Sequence, residues 1–218
     1  MIKRHPSVPS SIERLRAGLE NNCPEWKTIF DIGGGDGTGF LVRAFPGAHH
    51  IMYEPNDEFF EEIHMFYKNQ SYVIIQKACG DSSGTITINT MDMQGKKLRS
   101  IEVECVDILD EIKNCDRQSP YIVKIDTDGD DKKILFRLTD VTDKIDIIII
   151  ESRLDEVKDV ERHVWFEQHG YELYDITNLM YVDGKLLQTD NIYVKRSILQ
   201  LMIPVHNYEQ EEHIRYVD

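Results

Sequence analysis

Residues Thr28–Phe40 read TIFDIGGGDGTGF. An apolar run ends in Asp31, and Gly33, Gly34, Gly35 and Gly37 crowd into the positions that follow. The run reads as a buried strand, and Gly39 to Phe45, "GFLVRAF", reads as a helix stopped by Pro46-Gly47. Glycines between a strand and a helix leave backbone N–H groups bare, so a polar or anionic ligand can approach closely. A tight βα turn packed against its neighbour has the same composition. The meaning of the glycines therefore depends on what lies around them.

Outward from this unit the chain alternates. Upstream, "SIERLRAGLE" places Ile12, Leu15 and Leu19 on one helical face, with Ser10 or Ser11 as cap. Downstream, "HHIMYE" is a second strand ending at Glu54, Pro55 and Asn56 open a helix with Phe59, Phe60, Ile63 and Phe66 inward, and "SYVIIQKA" is a third strand. "GTITINT" and "IEVECVDIL" alternate as a short β excursion around the loop "DMQGKK", followed by a helix from Asp107 to Lys113. "YIVKID" is a fourth strand ending near Asp126, "DKKILFRL" a helix, and "KIDIIIIE" a fifth strand ending at Glu151. Val157 to His169 is a helix closed by Gly170. "YELYDI" and "DNIYVKR", joined through a loop containing Tyr181 and Asp183-Gly184, are two closing strands that pair antiparallel. Alternation of this kind predicts a parallel sheet covered by helices on both faces, with ligands at the carboxyl ends of the strands.

The totals narrow the class. The chain of 218 residues suits one domain, 1–218, with an N-terminal helical extension over 1–26 and a C-terminal tail over 197–218. Hydrophobic residues at 41% and charged residues at 29% are those of a globular protein. No apolar run approaches the roughly 18 residues of a membrane span, and no secretory leader is visible, so the expected location is cytoplasmic. Cys23, Cys79, Cys105 and Cys115 lack Cys-x-x-Cys spacing and read as reduced structural thiols. A net charge of −14 repels a phosphate backbone, which argues against nucleic acid as partner.

Two features give the glycine turn a ligand. Glu54 ends the second strand about 20 residues after Gly33, where an acid accepts hydrogen bonds from both ribose hydroxyls of a nucleoside cofactor. The glycine spacing departs from G-x-G-x-x-G, because Thr38 stands at the third position and the glycine comes early, at Gly37. A strand-terminal acid followed by G-x-G-x-G is the form used for S-adenosylmethionine, with Asp31 facing the ammonium of its methionine part.

The succession "FDIGGGDG", "YEPND", "KACGDSSG", "VDILDE", "VKIDTDGDD" and "IIIIES" resembles the FkbM family of S-adenosylmethionine-dependent O-methyltransferases, over roughly residues 28–196. That family commonly shows Asp-x-Gly-Ala-Asn-x-Gly and Lys-Ile-Asp-x-Glu-Gly-x-Glu. Here Gly34-Gly35-Asp36 stands for Gly-Ala-Asn, and Asp128 and Asp131 stand for the glutamates. The resemblance implies a class I methyltransferase (Rossmann-like) fold: a mostly parallel seven-stranded sheet with an antiparallel last strand. It implies that Gly33, Gly35, Asp36 and Gly37 hold the methionine end, that Glu54 with Pro55 holds the ribose, and that Ala78 and Cys79 line the adenine. Asp81 then accepts from the adenine amine, or is simply a turn former before Ser82-Ser83-Gly84.

"KIDTDGDD" gathers Asp126, Asp128, Asp130 and Asp131 at the carboxyl edge of the sheet. Crowded carboxylates are solvated, bind a cation or shift a pKa. Asp126 and Glu151 are the candidate catalytic pair, and Asp126, Asp128 and Glu151 the candidate oxygen ligands for Mg²⁺ or Mn²⁺. Either device relieves a hydroxyl of its proton. Asp130 and Asp131 also suit the positive end of the following helix. The histidines do not converge in sequence, and His49, His50, His64, His163 and His169 read as surface or packing residues unless a distant one folds into the site as base; Trp165, Phe166 and Tyr181 read as core, with a sugar-stacking platform the alternative for Tyr181 in its late loop. The expected activity is methyl transfer from S-adenosylmethionine to a hydroxyl, most plausibly of a sugar in a glycan or glycoside. Two alternatives share the motifs: an NAD-dependent sugar dehydrogenase, and a non-catalytic cofactor-binding module of a larger glycan-assembling protein.

Overall fold

Every residue of β1 (Thr28–Ile32) is buried, as a central strand with both faces covered requires. The computed structural model describes residues 11–91, 97–127, 129–153 and 159–202. Strand β1 is flanked in parallel by β2 (His49–Tyr53) and β7 (Tyr121–Ile125), with β3 (Ser71–Ile75) beyond β2 and β8 (Ile145–Arg153) beyond β7. Strand β10 (Lys185–Lys195) lies between β8 and β9 (Tyr171–Val182) and is antiparallel to both. The sheet order is thus β3-β2-β1-β7-β8-β10-β9. A dinucleotide-binding sheet continues past its fifth strand with a parallel sixth. Insertion of an antiparallel hairpin strand there is the arrangement of the class I methyltransferase fold, and this chain has it.

Helices cover both faces. Alpha helices α4 (Ile108–Asn114), α5 (Asp131–Arg137) and α6 (Asp159–Gln168) pack on the face carrying Phe30, Ile32, Tyr53, Val123, Ile125, Ile148 and Ile150. Helices α1 (Ser11–Leu19), α2 (Gly39–Ala44) and α7 (Arg196–Leu199) pack on the other, against Ile29, Ile122, Ile147, Ile149, Ile192 and Val194. Helix α3 (Phe60–Tyr67) closes a smaller cluster of Met52, Ile63 and Tyr67. A bulge opposite Tyr121/Ile122 puts Ile145 and Ile147, two apart, in different clusters, and leaves buried Asp146 accepting from Trp26 Nε1 at 3.0 Å. Among the described residues no helix is long and apolar enough to cross a membrane.

Alternation along the second face fixes the site. Two residues on from Ile29, Ile122, Ile149 and Ile192 in the direction of the carboxyl edge stand Asp31, Lys124, Glu151 and Asp190, all buried. The apolar layer under α1 and α2 therefore ends in a row of ionisable side chains beside the glycine turn.

Three local readings change. "SYVIIQKA" is not one strand: β3 stops at Ile75, and β4 (Ala78–Gly80) joins β6 (Lys97–Asp107) and β5 (Gly84–Met91) in a separate sheet, because Ala78 pairs with Cys105. Helix α3 is preceded by a 3-10 turn, Asp57–Phe59, which shifts its phase; Tyr67 is buried and Phe66 is 46% exposed. The closing strands are longer than read and meet at Asp183-Gly184, with φ of 50° and 75°, the two positive values of a two-residue hairpin turn. Tyr181 consequently lies on edge strand β9, exposed, rather than in a loop. The expected helix start at Val157, the loop residues 92–96, residues 1–10 of the N-terminal segment and residues 203–218 of the C-terminal tail lie outside the described residues.

Candidate functional site

The glycines divide the work of the turn between packing and openness. Gly33 has φ +77°, and a Cβ there would stand 1.7 Å from the Asp126 carbonyl oxygen, so no side chain fits between the ends of β1 and β7. Gly35, with φ +48°, meets nothing within 4 Å and faces open space. The turn is tied down by Gly33 N–H to the Tyr53 carbonyl (3.0 Å) and Gly37 N–H to the Gly34 carbonyl (2.8 Å). Glu54 receives Gly35 N–H on one oxygen and Asn56 N–H on the other, both at 2.8 Å. Thr38 N–H, at the entry to α2, donates to the buried Tyr67 hydroxyl at 3.2 Å.

A pocket of about 340 Å³ opens over this turn, lined by Gly34 to Phe40, Arg43, Lys124, Asp126, Asn178 and Asp190. At its floor the Lys124 ammonium lies 2.8 Å from Asp126 Oδ2 and 3.7 Å from Asp31 Oδ1. The ladder dictates the second contact, since Asp31 and Lys124 are direct partners across β1 and β7. Burial opposes the Lys124 charge, but Asp31, Asp126 and Asp190 outweigh it and raise its pKa, so the ammonium persists. Burial likewise opposes the Asp126 charge; Lys124 and a hydrogen bond with the Glu151 side chain prevail and hold its carboxyl below the usual range. Asp31 goes the other way, raised by complete burial with Lys124 only partly compensating. Glu54 is also raised by burial, against the backbone donors of Asn56 and Gly35.

Of the residues singled out from sequence, the structure brings Gly35, Asp36, Gly37 and Asp126 to the pocket wall, with Asp36 exposed at its rim. Asp31, Gly33 and Glu54 sit directly behind them, Pro55 follows Glu54 half-buried, and Glu151 stands beside Asp126. Ala78 and Cys79 are buried in β4, and exposed Asp81 is 3.5 Å from the Ser82 hydroxyl; none of the three lines this pocket. Asp131, the first residue of α5, ties down the loop before it by accepting from Thr127 N–H, Thr127 Oγ1 and Gly129 N–H, while Asp130, at the N-cap position, makes no side-chain cap and pairs with Lys133 on the surface. All four cysteines are free thiols.

The divalent-cation reading does not fit the donor set. Asp126 already has a cation, the Lys124 ammonium, on Oδ2, and among the described residues no group of three or more His, Cys, Asp or Glu side chains is arranged to hold a metal ion. Asp128, the third expected ligand, lies outside the described residues. The histidines behave as packing or surface groups: His49 contacts Ser71, His64 contacts Tyr72, His163 contacts Tyr193, and His169 stacks on Trp165. Buried His50 meets the Tyr67 ring edge-on at 5.1 Å, and burial pushes its pKa down to about 4.

Sequence reasoning passed over Lys124, Asp190 and Asn178. A lysine within the apolar run "YIVKI" was the available signal for the first. For Asp190 the signal was only a polar "TDN" ahead of "IYV", and for Asn178 there was none. Asn178 adopts φ 49° where the β9–β10 ladder slips between Thr177–Asp190 and Met180–Gln188, and its side-chain amide donates to Asp190 Oδ2.

No family model matches the chain, and no curated protein does either. Solved structures do resemble it in fold. An rRNA methylase from Streptococcus thermophilus aligns at TM-score 0.49 and 11% identity, over 88% of this chain and 99% of that one. Magnesium protoporphyrin IX methyltransferase from Synechocystis PCC 6803, with bound SAM, gives 0.48 and 9%, over 86% and 79%. TrmK of M. capricolum, in complex with S-adenosyl-homocysteine, gives 0.47 and 16%, over 84% and 68%. Likeness at this level says nothing of acceptor or mechanism, and the fold assignment rests on the strand order itself.

Proposed function

We propose that the chain is an S-adenosylmethionine-dependent O-methyltransferase of the FkbM kind, acting on a hydroxyl of a sugar in a glycan or glycoside. The observation that supports this best is one pocket joining an open glycine turn to an ionised, lysine-held carboxylate, Asp126. The turn suits the cofactor: Gly35 leaves the cradle open, and each Glu54 oxygen keeps a lone pair beyond its backbone donor, one for each ribose hydroxyl.

When bound, the cofactor supplies a methyl on a sulfonium, whose carbon–sulfur bond yields its electron pair to sulfur as the acceptor oxygen takes the methyl. What remains for the protein is orientation and the hydroxyl proton. Asp126 accepts that proton. Lys124 keeps Asp126 ionised beforehand, and Glu151 fixes its rotamer through their hydrogen bond. With Lys124 as the cation held against Asp126, turnover is expected to persist in excess EDTA. Asp126→Asn removes the base while preserving shape, so transfer falls by about 100-fold or more while S-adenosylhomocysteine binding stays within a few fold. An Asp126→Asn enzyme of full activity would refute the assignment.

A further inference from the structure

A pocket walled by carboxylates takes a zwitterion well only when it also offers a cation to the ligand's own carboxylate. Asp36, Asp126 and Asp190 line the space over the glycine turn, and among the described residues of that wall the cations are Lys124 and Arg43. Lys124 is committed, 2.8 Å from Asp126 Oδ2 and 3.7 Å from Asp31 Oδ1. Arg43 is not: it is exposed on α2, and no hydrogen bond or ion pair joins it to any described residue. Its direction is set by Gly39, four residues earlier and one helical turn back. A Cβ at Gly39 would stand 3.3 Å from Arg43 Nη1 and 2.7 Å from Phe66 Cζ. The guanidinium therefore folds back over the first turn of α2, beside the Phe66 ring, and reaches the pocket wall next to the glycines.

We infer that Arg43 holds the α-carboxylate of the cofactor's methionine part, through the two-pronged contact that a guanidinium makes with a carboxylate. This rests on the S-adenosylmethionine reading above and adds to it a residue that neither the glycine motif nor Glu54 implies. A permanently charged fork suits the task, because the carboxylates of the wall repel the incoming one. An acidic group on the acceptor is the rival anion, and the test separates the two.

Isothermal calorimetry compares S-adenosylhomocysteine with S-adenosyl-3-thiopropylamine, which keeps the ammonium and lacks only the carboxylate. Wild type is expected to favour S-adenosylhomocysteine by about 10-fold or more. Arg43→Gln should cut that preference below about three-fold by weakening S-adenosylhomocysteine alone, and Arg43→Lys should restore part of it. Glutamine propagates a helix about as well as arginine, and Arg43 is exposed, so thermal unfolding of both variants should match wild type. The assignment of Arg43 is overturned, with the cofactor reading intact, if wild type binds the two ligands equally or if Arg43→Gln keeps the wild-type preference. It is likewise overturned if Arg43→Gln weakens both ligands to the same extent, which would make Arg43 a support of the turn. An Arg43→Gln enzyme that keeps the preference but loses turnover on uronic-acid glycosides alone would give Arg43 to the acceptor instead. If wild type binds neither ligand, the cofactor reading and the assignment fall together.

Discussion

Lys124 is the residue on which the charge balance of the site turns. It lies between a fully buried Asp31 and an ionised Asp126, and its loss would leave two carboxylates facing each other without a cation. Removing one member of a buried ion pair typically costs about 3–5 kcal/mol, most of it the desolvated charge left behind. Lys124→Met is therefore expected to lower urea-unfolding stability by about 3 kcal/mol at pH 7, and to raise the Asp126 pKa. In wild type the lowered Asp126 pKa contributes stability above its unfolded value, near 4, that is lost as pH falls through the folded one. His50 has the opposite chemistry but a similar acid limit. As a base whose folded pKa, about 4, lies below its unfolded 6.5, it leaves stability intact above pH 6.5 and erodes it as pH falls toward 4, by about 3 kcal/mol in all. Because Asp31, Glu54 and Asp146 are raised and titrate with the contrary sign, the informative quantity is the difference between wild type and His50→Phe. That difference should narrow across pH 6.5 to 4, and a constant difference would contradict the burial of a neutral imidazole.

At the scale of elements, the strand–turn–helix unit was legible because glycine density after an apolar run has few structural uses. Which glycine is needed for packing and which leaves room for a ligand was not legible, since that depends on where the Asp126 carbonyl arrives from a strand some ninety residues on. Two substitutions separate the roles. Gly33→Ala places a methyl inside the Asp126 backbone and should cost more than about 3 kcal/mol in a denaturant melt, whereas Gly35→Ala meets open space and should cost only the 1–2 kcal/mol of a left-handed non-glycine residue. Equal costs would mean that the turn yields as a whole. The short β excursion was equally readable from alternation in "GTITINT", and the hairpin turn from Asp-Gly. The break between β3 and β4 was not, because Gln76 and Lys77 interrupt "SYVIIQKA" no more than many strands tolerate; pairing of Ala78 with Cys105 decides it. The phase of α3 was lost for a comparable reason, a 3-10 turn ahead of it that moves Tyr67 inward and Phe66 out.

Across the whole molecule, the order of strands converts four separate stretches of sequence into one site. Asp31, Lys124, Glu151 and Asp190 come from β1, β7, β8 and β10, and only the register of a twisted parallel sheet with one antiparallel strand aligns them. Sequence reading found the carboxylates at strand ends by position and offered them either as a catalytic pair or as ligands for a divalent metal, because a crowd of like charges is relieved by a cation. The structure supplies that cation from within β7, where a lysine in an apolar run gives no sign of its partners until the ladder is known. The central claim, that the glycine turn and Glu54 cradle S-adenosylmethionine, is tested most directly by isothermal calorimetry of the folded protein with S-adenosylhomocysteine. Binding at one site, weakened about ten-fold or more by Glu54→Ala, is the predicted result. No heat of binding with S-adenosylhomocysteine, together with saturable binding of NADH, would contradict it.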